Sequence, residues 1–229
     1  MIPIILLSVA SFGFAATCII LRRKNKSFGG MVCKFMASFG FIGVAIAGNY
    51  VNGGADLEYF SLICFALMFG FCGDIFLGIK EIAPIFKKKL IVLGTAFFLI
   101  GHIVYLIGFF KIGASTVSTI FLPLGVGIAL IMITVLKINA DKKFKAILAV
   151  YYALLVFKIG ASATLVYKDA SVTSILLLAA SVLFIISDSC LGIIYFTPVK
   201  KKNGLVMAEL STYYPAQLMF ALSVAFIAK

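Results

Sequence analysis

Six ionisable residues interrupt the long apolar runs of this sequence: Lys34, Asp74, His102, Lys158, Asp188 and Glu209. An ionisable group inside a membrane-spanning segment is costly unless it is paired, so each of these is a candidate for function. Asp74 and Asp188 lead the set. They sit in similar stretches, FGFCGDIFLGI ending at Ile79 and LFIISDSCLGI over 183–193, where Asp74, Leu77, Gly78 and Ile79 align with Asp188, Leu191, Gly192 and Ile193. Two acids at equivalent places suit acid–base chemistry, in which one carboxyl donates a proton and the other stays ionised beside a developing cation. Metal chemistry has little to stand on. The chain has one His, its five Cys form no CxxC pair, and a metal on two Asp alone is a weak prospect, so no metal is expected. GxGxxG, P-loop, HExxH and GxSxG patterns are absent.

These residues need long helices to position them. The chain of 229 residues is 63% hydrophobic and only 12% charged, with a mean hydropathy of +1.19. That composition excludes an ordinary soluble enzyme, a disordered chain and a disulfide-stapled secreted domain. Eight apolar runs are predicted as helices: 2–21, 30–49, 59–79, 90–110, 115–136, 145–166, 172–196 and 207–228. The expected fold is all-α, a polytopic membrane bundle of eight transmembrane helices forming a single domain over 1–229. The first run lacks a basic start and is followed directly by RRKNK, which predicts a retained helix rather than a signal peptide.

Lys and Arg outnumber Asp and Glu by 20 to 8, a net charge of +12. The excess lies in short loops. Segments 22–29, 80–89, 137–145 and 197–206 hold fifteen basic residues, whereas the opposite side holds only Lys111, Lys168 and Lys229. The fifteen-charge side is therefore expected in the cytoplasm, with both termini outside. Nothing in the pattern fits a nucleic-acid surface, so none is expected as a partner. The match between the third and seventh runs has an offset of 114, the difference between 188 and 74. Two four-helix halves, 1–114 and 115–229, would give such an offset and form a parallel repeat about an axis along the membrane normal. The competing explanation is chance, since apolar helices share Leu, Ile and Gly freely.

Helical spacing sharpens the site. At a rise of ~1.5 Å per residue, Asp74 is ~8 Å, Asp188 ~12 Å, Lys34 ~6 Å and Glu209 ~3 Å from the cytoplasmic end, with His102 and Lys158 at ~18–20 Å. Lys34 aligns with Ser38, Tyr151 with Lys158 and Ser162, and Glu209 with Tyr213 and Gln217, with Tyr214 beside them. These stripes are expected to line one cytoplasm-facing cavity, with Lys34 at its mouth meeting a substrate phosphate. Structural alternatives stand beside each. Lys34 would snorkel to the interface, Glu209 would be solvated near its helix end, His102 would bridge helices, and Lys158 would serve as an internal counter-ion or snorkel outward.

The segments GDIFLG at 73–78, FFLIGHIVYLIGFF at 97–110, LFIISDSCLGIIYF at 183–196 and STYYPAQLMFALS at 211–223, together with Lys34, resemble the YhhN-like lysoplasmalogenases. The resemblance implies an eight-helix membrane enzyme that hydrolyses the vinyl-ether bond of a lysoplasmalogen. Its products would be a fatty aldehyde and glycerophosphocholine or glycerophosphoethanolamine. Asp74 and Asp188 would be catalytic. Lys34, Tyr151, Tyr213, Tyr214 and Gln217 would contact the substrate, with His102, Tyr105 and Lys158 in support. Lys158 in mid-membrane departs from the family's pattern. The expected partners are a lysophospholipid and the surrounding lipids of a bacterial inner membrane or endoplasmic reticulum, with no cofactor.

The residues fit that chemistry on their own terms. Vinyl-ether hydrolysis proceeds by protonation of the β-carbon, addition of water to the oxocarbenium ion and collapse of the hemiacetal. It asks for one protonated carboxyl and one carboxylate, as in inverting glycosidases. A proton-coupled transporter of a small or lipid-like substrate would also use intramembrane Asp, Lys and His, and needs access from both faces where a hydrolase needs a one-ended pocket. A scaffold protein whose polar stripes merely join helices is the third class.

Overall fold

The computed structural model describes residues 1–24, 26–80, 82–135, 142–197 and 202–228, with the backbone alone at Ser27, Pro84 and Phe144. Among the described residues there are eight α-helices and no strand. They are α1 (Ile2–Arg23), α2 (Ser27–Val51), α3 (Leu57–Ile79), α4 (Lys87–Lys111), α5 (Phe121–Val135), α6 (Lys142–Lys168), α7 (Val172–Phe196) and α8 (Asn203–Ser223). Each predicted run overlaps one of them. Short 3₁₀ turns precede α4 and α5 and follow α8. Thr116–Ile120 winds as 3₁₀ rather than as the start of the fifth helix. Pro123 accounts for this, because it has no N–H to reach back to the carbonyl of Thr119.

Among the described residues, seven helices are long and apolar enough to cross a membrane. Side chains such as Leu6, Val9, Phe39, Ile46, Leu130 and Ile131 stand exposed along them. In water such a surface would drive aggregation, whereas in a bilayer it meets lipid tails at no cost. The chain is a multi-pass membrane protein. The eighth helix falls short on hydropathy. Glu209, Ser211, Thr212, Tyr213, Tyr214 and Gln217 dilute its apolar residues, and Pro215 removes one N–H from its interior. Of the basic residues used to assign the cytoplasmic side, Lys137, Lys200 and Lys201 lie outside the described residues, as does Lys229 on the opposite side.

The chain divides into two compact units, Met1–Gly108 with Gln217–Lys229, and Phe109–Ala216. In the first, α1 packs on α2 where Gly40 leaves room for Ser11, whose hydroxyl donates to the carbonyl of Ala37 at 2.8 Å. Helices α2 and α3 run antiparallel, with the Phe35 and Phe39 rings edge-on to Phe71. Helix α4 meets α3 through Gly94, Gly101 and Gly108, spaced by sevens. A Cβ on Gly94 would lie 3.0 Å from Leu77, and one on Gly101 3.2 Å from the carbonyl oxygen of Ala66. Glycine at these contacts lets the two backbones approach closely. The turn into α3 uses Gly53 and Gly54 at φ +66° and +68°, and Asp56 then caps the helix by accepting the N–H of Tyr59 at 2.9 Å. The C-terminal end is tied in by Asn52, which donates to the carbonyls of Val224 and Ile227 at 3.2 and 2.8 Å.

In the second unit, α6 packs against both α5 and α7. Gly125 makes the α5–α6 contact, since a Cβ there would stand 2.6 Å from the Cα of Ala153. Ser115 donates its N–H to Thr164 at 2.9 Å, and Lys168 donates to the carbonyl of Gly113 at 2.7 Å, fixing the end of α6 to the turn before α5. Ser171 caps α7 by accepting the N–H of Ser174.

Candidate functional site

The first unit builds its polar centre on the antiparallel α2–α3 pair. Lys34 and Ser38 are one turn apart on α2, so both side chains reach the same point on α3. That point is Asp74. The Lys34 ammonium lies 2.9 Å from Oδ1, and the Ser38 hydroxyl donates to Oδ2 at 2.6 Å. All three residues are buried, with Asp74 fully covered and Lys34 2% exposed. Gly73 makes the placement possible on the α4 side, because a Cβ there would stand 2.7 Å from the ring of Phe98. A buried carboxylate with a directly paired cation and a hydroxyl donor is the satisfied arrangement for a charge in low dielectric.

Lys34 is therefore not at an exposed mouth, and it does not snorkel. Its aliphatic stem is enclosed and its charge is committed to Asp74. The reason is geometric. At a position facing the partner helix, an ammonium gains more from a carboxylate one side-chain length away than from a distant headgroup.

Deeper on α4, His102 and Tyr105 are buried. The Tyr105 hydroxyl donates to Oε1 of Gln217 at 2.8 Å, and its ring lies 4.2 Å from that of Phe220. Tyr105 and Gln217 thus act as a pair within this unit. Tyr59 and Ser223 share a further hydrogen bond of 2.6 Å. Ser223 also donates to the carbonyl of Phe220, which leaves Tyr59 as the donor to Ser223.

The second unit carries a comparable centre on the antiparallel α6–α7 pair. Tyr151 donates its hydroxyl to Oδ2 of Asp188, and Tyr152 donates to Ser189 at 3.1 Å. Lys158 is buried completely, so it does not snorkel outward. Its ammonium stands 4.5 Å from the centre of the Phe184 ring, one turn before Asp188 on α7. Tyr213 meets the same ring edge-on, with centroids 5.5 Å apart, and packs against Tyr214 at 5.3 Å. In each unit, then, a hydroxyl on one helix donates to an aspartate on the next, over 36 residues for Ser38 and Asp74 and over 37 for Tyr151 and Asp188.

Of the residues singled out from sequence, Lys34, Asp74, His102, Tyr105 and Gln217 fall in the first unit. Tyr151, Lys158, Asp188, Tyr213 and Tyr214 fall in the second. Two partners were given no site role from sequence, although Ser38 was aligned with Lys34 there. Ser38 was visible as the i+4 neighbour of Lys34, and its chemistry as a carboxylate donor follows from that spacing. Phe184 carried no signal, since a lone ring among apolar residues reads as packing. Glu209 is buried rather than solvated, and its place on the Tyr213 face was the available clue. Among the described residues, no group of three or more His, Cys, Asp or Glu could hold a metal ion.

The model of the YhhN family matches residues 30–224, most of the chain. The chain belongs to the YhhN family. Both aspartate centres lie inside the matched span, and all of α1 lies outside it. Neither a curated protein nor a solved structure matches this YhhN-family chain.

Proposed function

We propose that this YhhN-family protein hydrolyses the vinyl-ether bond of a lysoplasmalogen, releasing a fatty aldehyde and glycerophosphocholine or glycerophosphoethanolamine. What carries this is the buried Asp74 carboxylate with Lys34 and Ser38 both bonded to it, in a chain of this family. The eight helices, α8 included, span the membrane, and the two aspartate centres descend from a parallel repeat of four helices.

The chemistry divides between the carboxyls. Lys34 and Ser38 both donate to Asp74, so neutralising it would strand a buried ammonium, and Asp74 is assigned as the ionised partner. Asp188 is assigned as the acid. The Tyr151 hydroxyl holds it at Oδ2. Asp188 delivers that proton to the β-carbon of the C=C–O group. The π electrons form the new C–H bond, and the ether oxygen supports the positive charge at the α-carbon. The Asp74 carboxylate stabilises the oxocarbenium ion and directs the attacking water, whose proton passes to the Asp188 carboxylate just formed. The hemiacetal then breaks at the α-carbon–ether oxygen bond as Asp188 protonates the departing oxygen and recovers the hemiacetal hydroxyl proton, giving the aldehyde, the free glycerol hydroxyl and the acid in its starting form. One water is consumed per turnover. Tyr213, Tyr214 and the Tyr105–Gln217 pair orient the glycerol and the water, while His102 supports the wall. Lys34 serves Asp74 and not the phosphate, which the exposed basic loop residues meet instead.

The test is direct. Purified protein in detergent is incubated with lysoplasmalogen, and free aldehyde is measured beside lysoacyl and diacyl controls. Aldehyde from the vinyl ether alone supports the assignment. No aldehyde, together with proton-driven uptake of a solute in proteoliposomes, overturns it in favour of a transporter.

A further inference from the structure

Among the described residues of the second unit, Lys158 is the buried cation that the proposed mechanism leaves unused. It lies on α6 two turns after Tyr151, and its ammonium rests over the face of Phe184 on α7. Phe184 is one turn from Asp188 on the same helix, and that helix packs on α6. Cation, ring and acid therefore form a fixed set on two packed helices. An aromatic face holds a desolvated ammonium through the ring quadrupole, which is a weaker partner than a carboxylate.

We infer that Lys158 is a positioning residue for Asp188, held on Phe184 while Asp188 is neutral and supplying the counter-charge when Asp188 gives up its proton. This rests on the proposed hydrolysis and assigns a role that the two-carboxyl scheme lacks. Proton transfer turns Asp188 from a neutral acid into an anion in a site with little water. A cation already in place meets that charge without reorganisation, and such preorganised charge acts where charge develops. Lys34 and Lys158 then do different work. The first keeps Asp74 ionised throughout, whereas the second answers Asp188 only after it has acted.

Two measurements test the inference. Lys158→Met should lower kcat roughly 10²-fold with KM little changed, since the loss appears only as charge develops. Lys158→Arg should restore much of the rate, because a guanidinium also stacks on a ring and keeps the charge. Phe184→Leu should lower kcat by a smaller factor. Unchanged kcat in Lys158→Met, or no recovery in Lys158→Arg that folds like the parent, overturns the role. The second measurement needs no substrate. Thermal unfolding of Lys158→Met, Phe184→Leu and the double variant in detergent should be non-additive, with the double variant less damaged than the two singles summed. Additive losses remove the cation–ring clamp. A parent protein inert toward lysoplasmalogen overturns the hydrolase assignment and the role in turnover, while the unfolding cycle still judges the clamp.

Discussion

Asp74 and Asp188 are both buried aspartates on helices flanked by apolar residues, yet their partners differ in kind. An ammonium and a hydroxyl hold Asp74, and a phenol holds Asp188. If these partners set the division of work, Asp74→Asn and Asp188→Asn should each cut turnover by about 10³-fold or more while the protein still elutes as a folded species. Persistent aldehyde release from either variant would remove that carboxyl from the reaction. Lys34 gives a second outcome at this scale. Because its charge is spent on Asp74, Lys34→Met should lower kcat about 10²-fold and leave KM nearly unchanged. A raised KM with intact kcat would return Lys34 to a phosphate-binding role. The sequence showed both aspartates and the alignment of Lys34 with Ser38, since costly groups in apolar runs stand out and helical spacing is fixed. It did not show that Lys34 faces inward. Rotation of a helix about its axis depends on packing against neighbours, and a lysine one turn from a helix end reads the same whether it snorkels or pairs.

Glycine decides the fit of the helices. Membrane helices gain little from burying apolar surface against each other, so close packing must supply the difference. Gly125 and Gly127 on α5 make a controlled pair. A Cβ at 125 would press on the backbone of α6, whereas one at 127 would meet nothing within 4 Å. Gly125→Ala should therefore destabilise by about 1–3 kcal/mol as α5 is forced away from α6. Gly127→Ala should be neutral or slightly stabilising, because alanine is the better helix former. Thermal unfolding of the two variants checks this, and equal effects would mean that helix propensity, not contact, controls both sites. All eight runs were legible as helices from their apolar stretches, the last one despite the polar residues that dilute it. Which glycines would touch a neighbour was not, since single-chain periodicity carries no record of the partner helix. The 3₁₀ turn before α5 was missed too, although Pro123 was there to announce it.

At the scale of the whole molecule, charge sets the orientation. Fifteen basic residues fall in four alternate segments and three on the other side. The translocation machinery retains Lys and Arg in short loops on the cytoplasmic side, and a bias this large overrides small local exceptions. Exposed Lys87, Lys88 and Lys89 at the start of α4 belong to the heavily charged side. An even number of spans then returns the chain to the side where it began, which makes α8 decisive. It is the helix that fails on hydropathy, because its polar residues are turned inward, where Glu209, Tyr213, Tyr214 and Gln217 are buried. A helix with a buried polar face and an apolar remainder can still span, since the lipid meets only the outer face. Reporter fusions separate the two outcomes. A reporter active only outside the cytoplasm should work at both the N-terminus and the C-terminus, and one fused after Lys89 should be silent. If the C-terminal reporter is silent while the N-terminal one works, α8 does not cross, and its buried carboxyl and phenols belong to a helix lying on the cytoplasmic side.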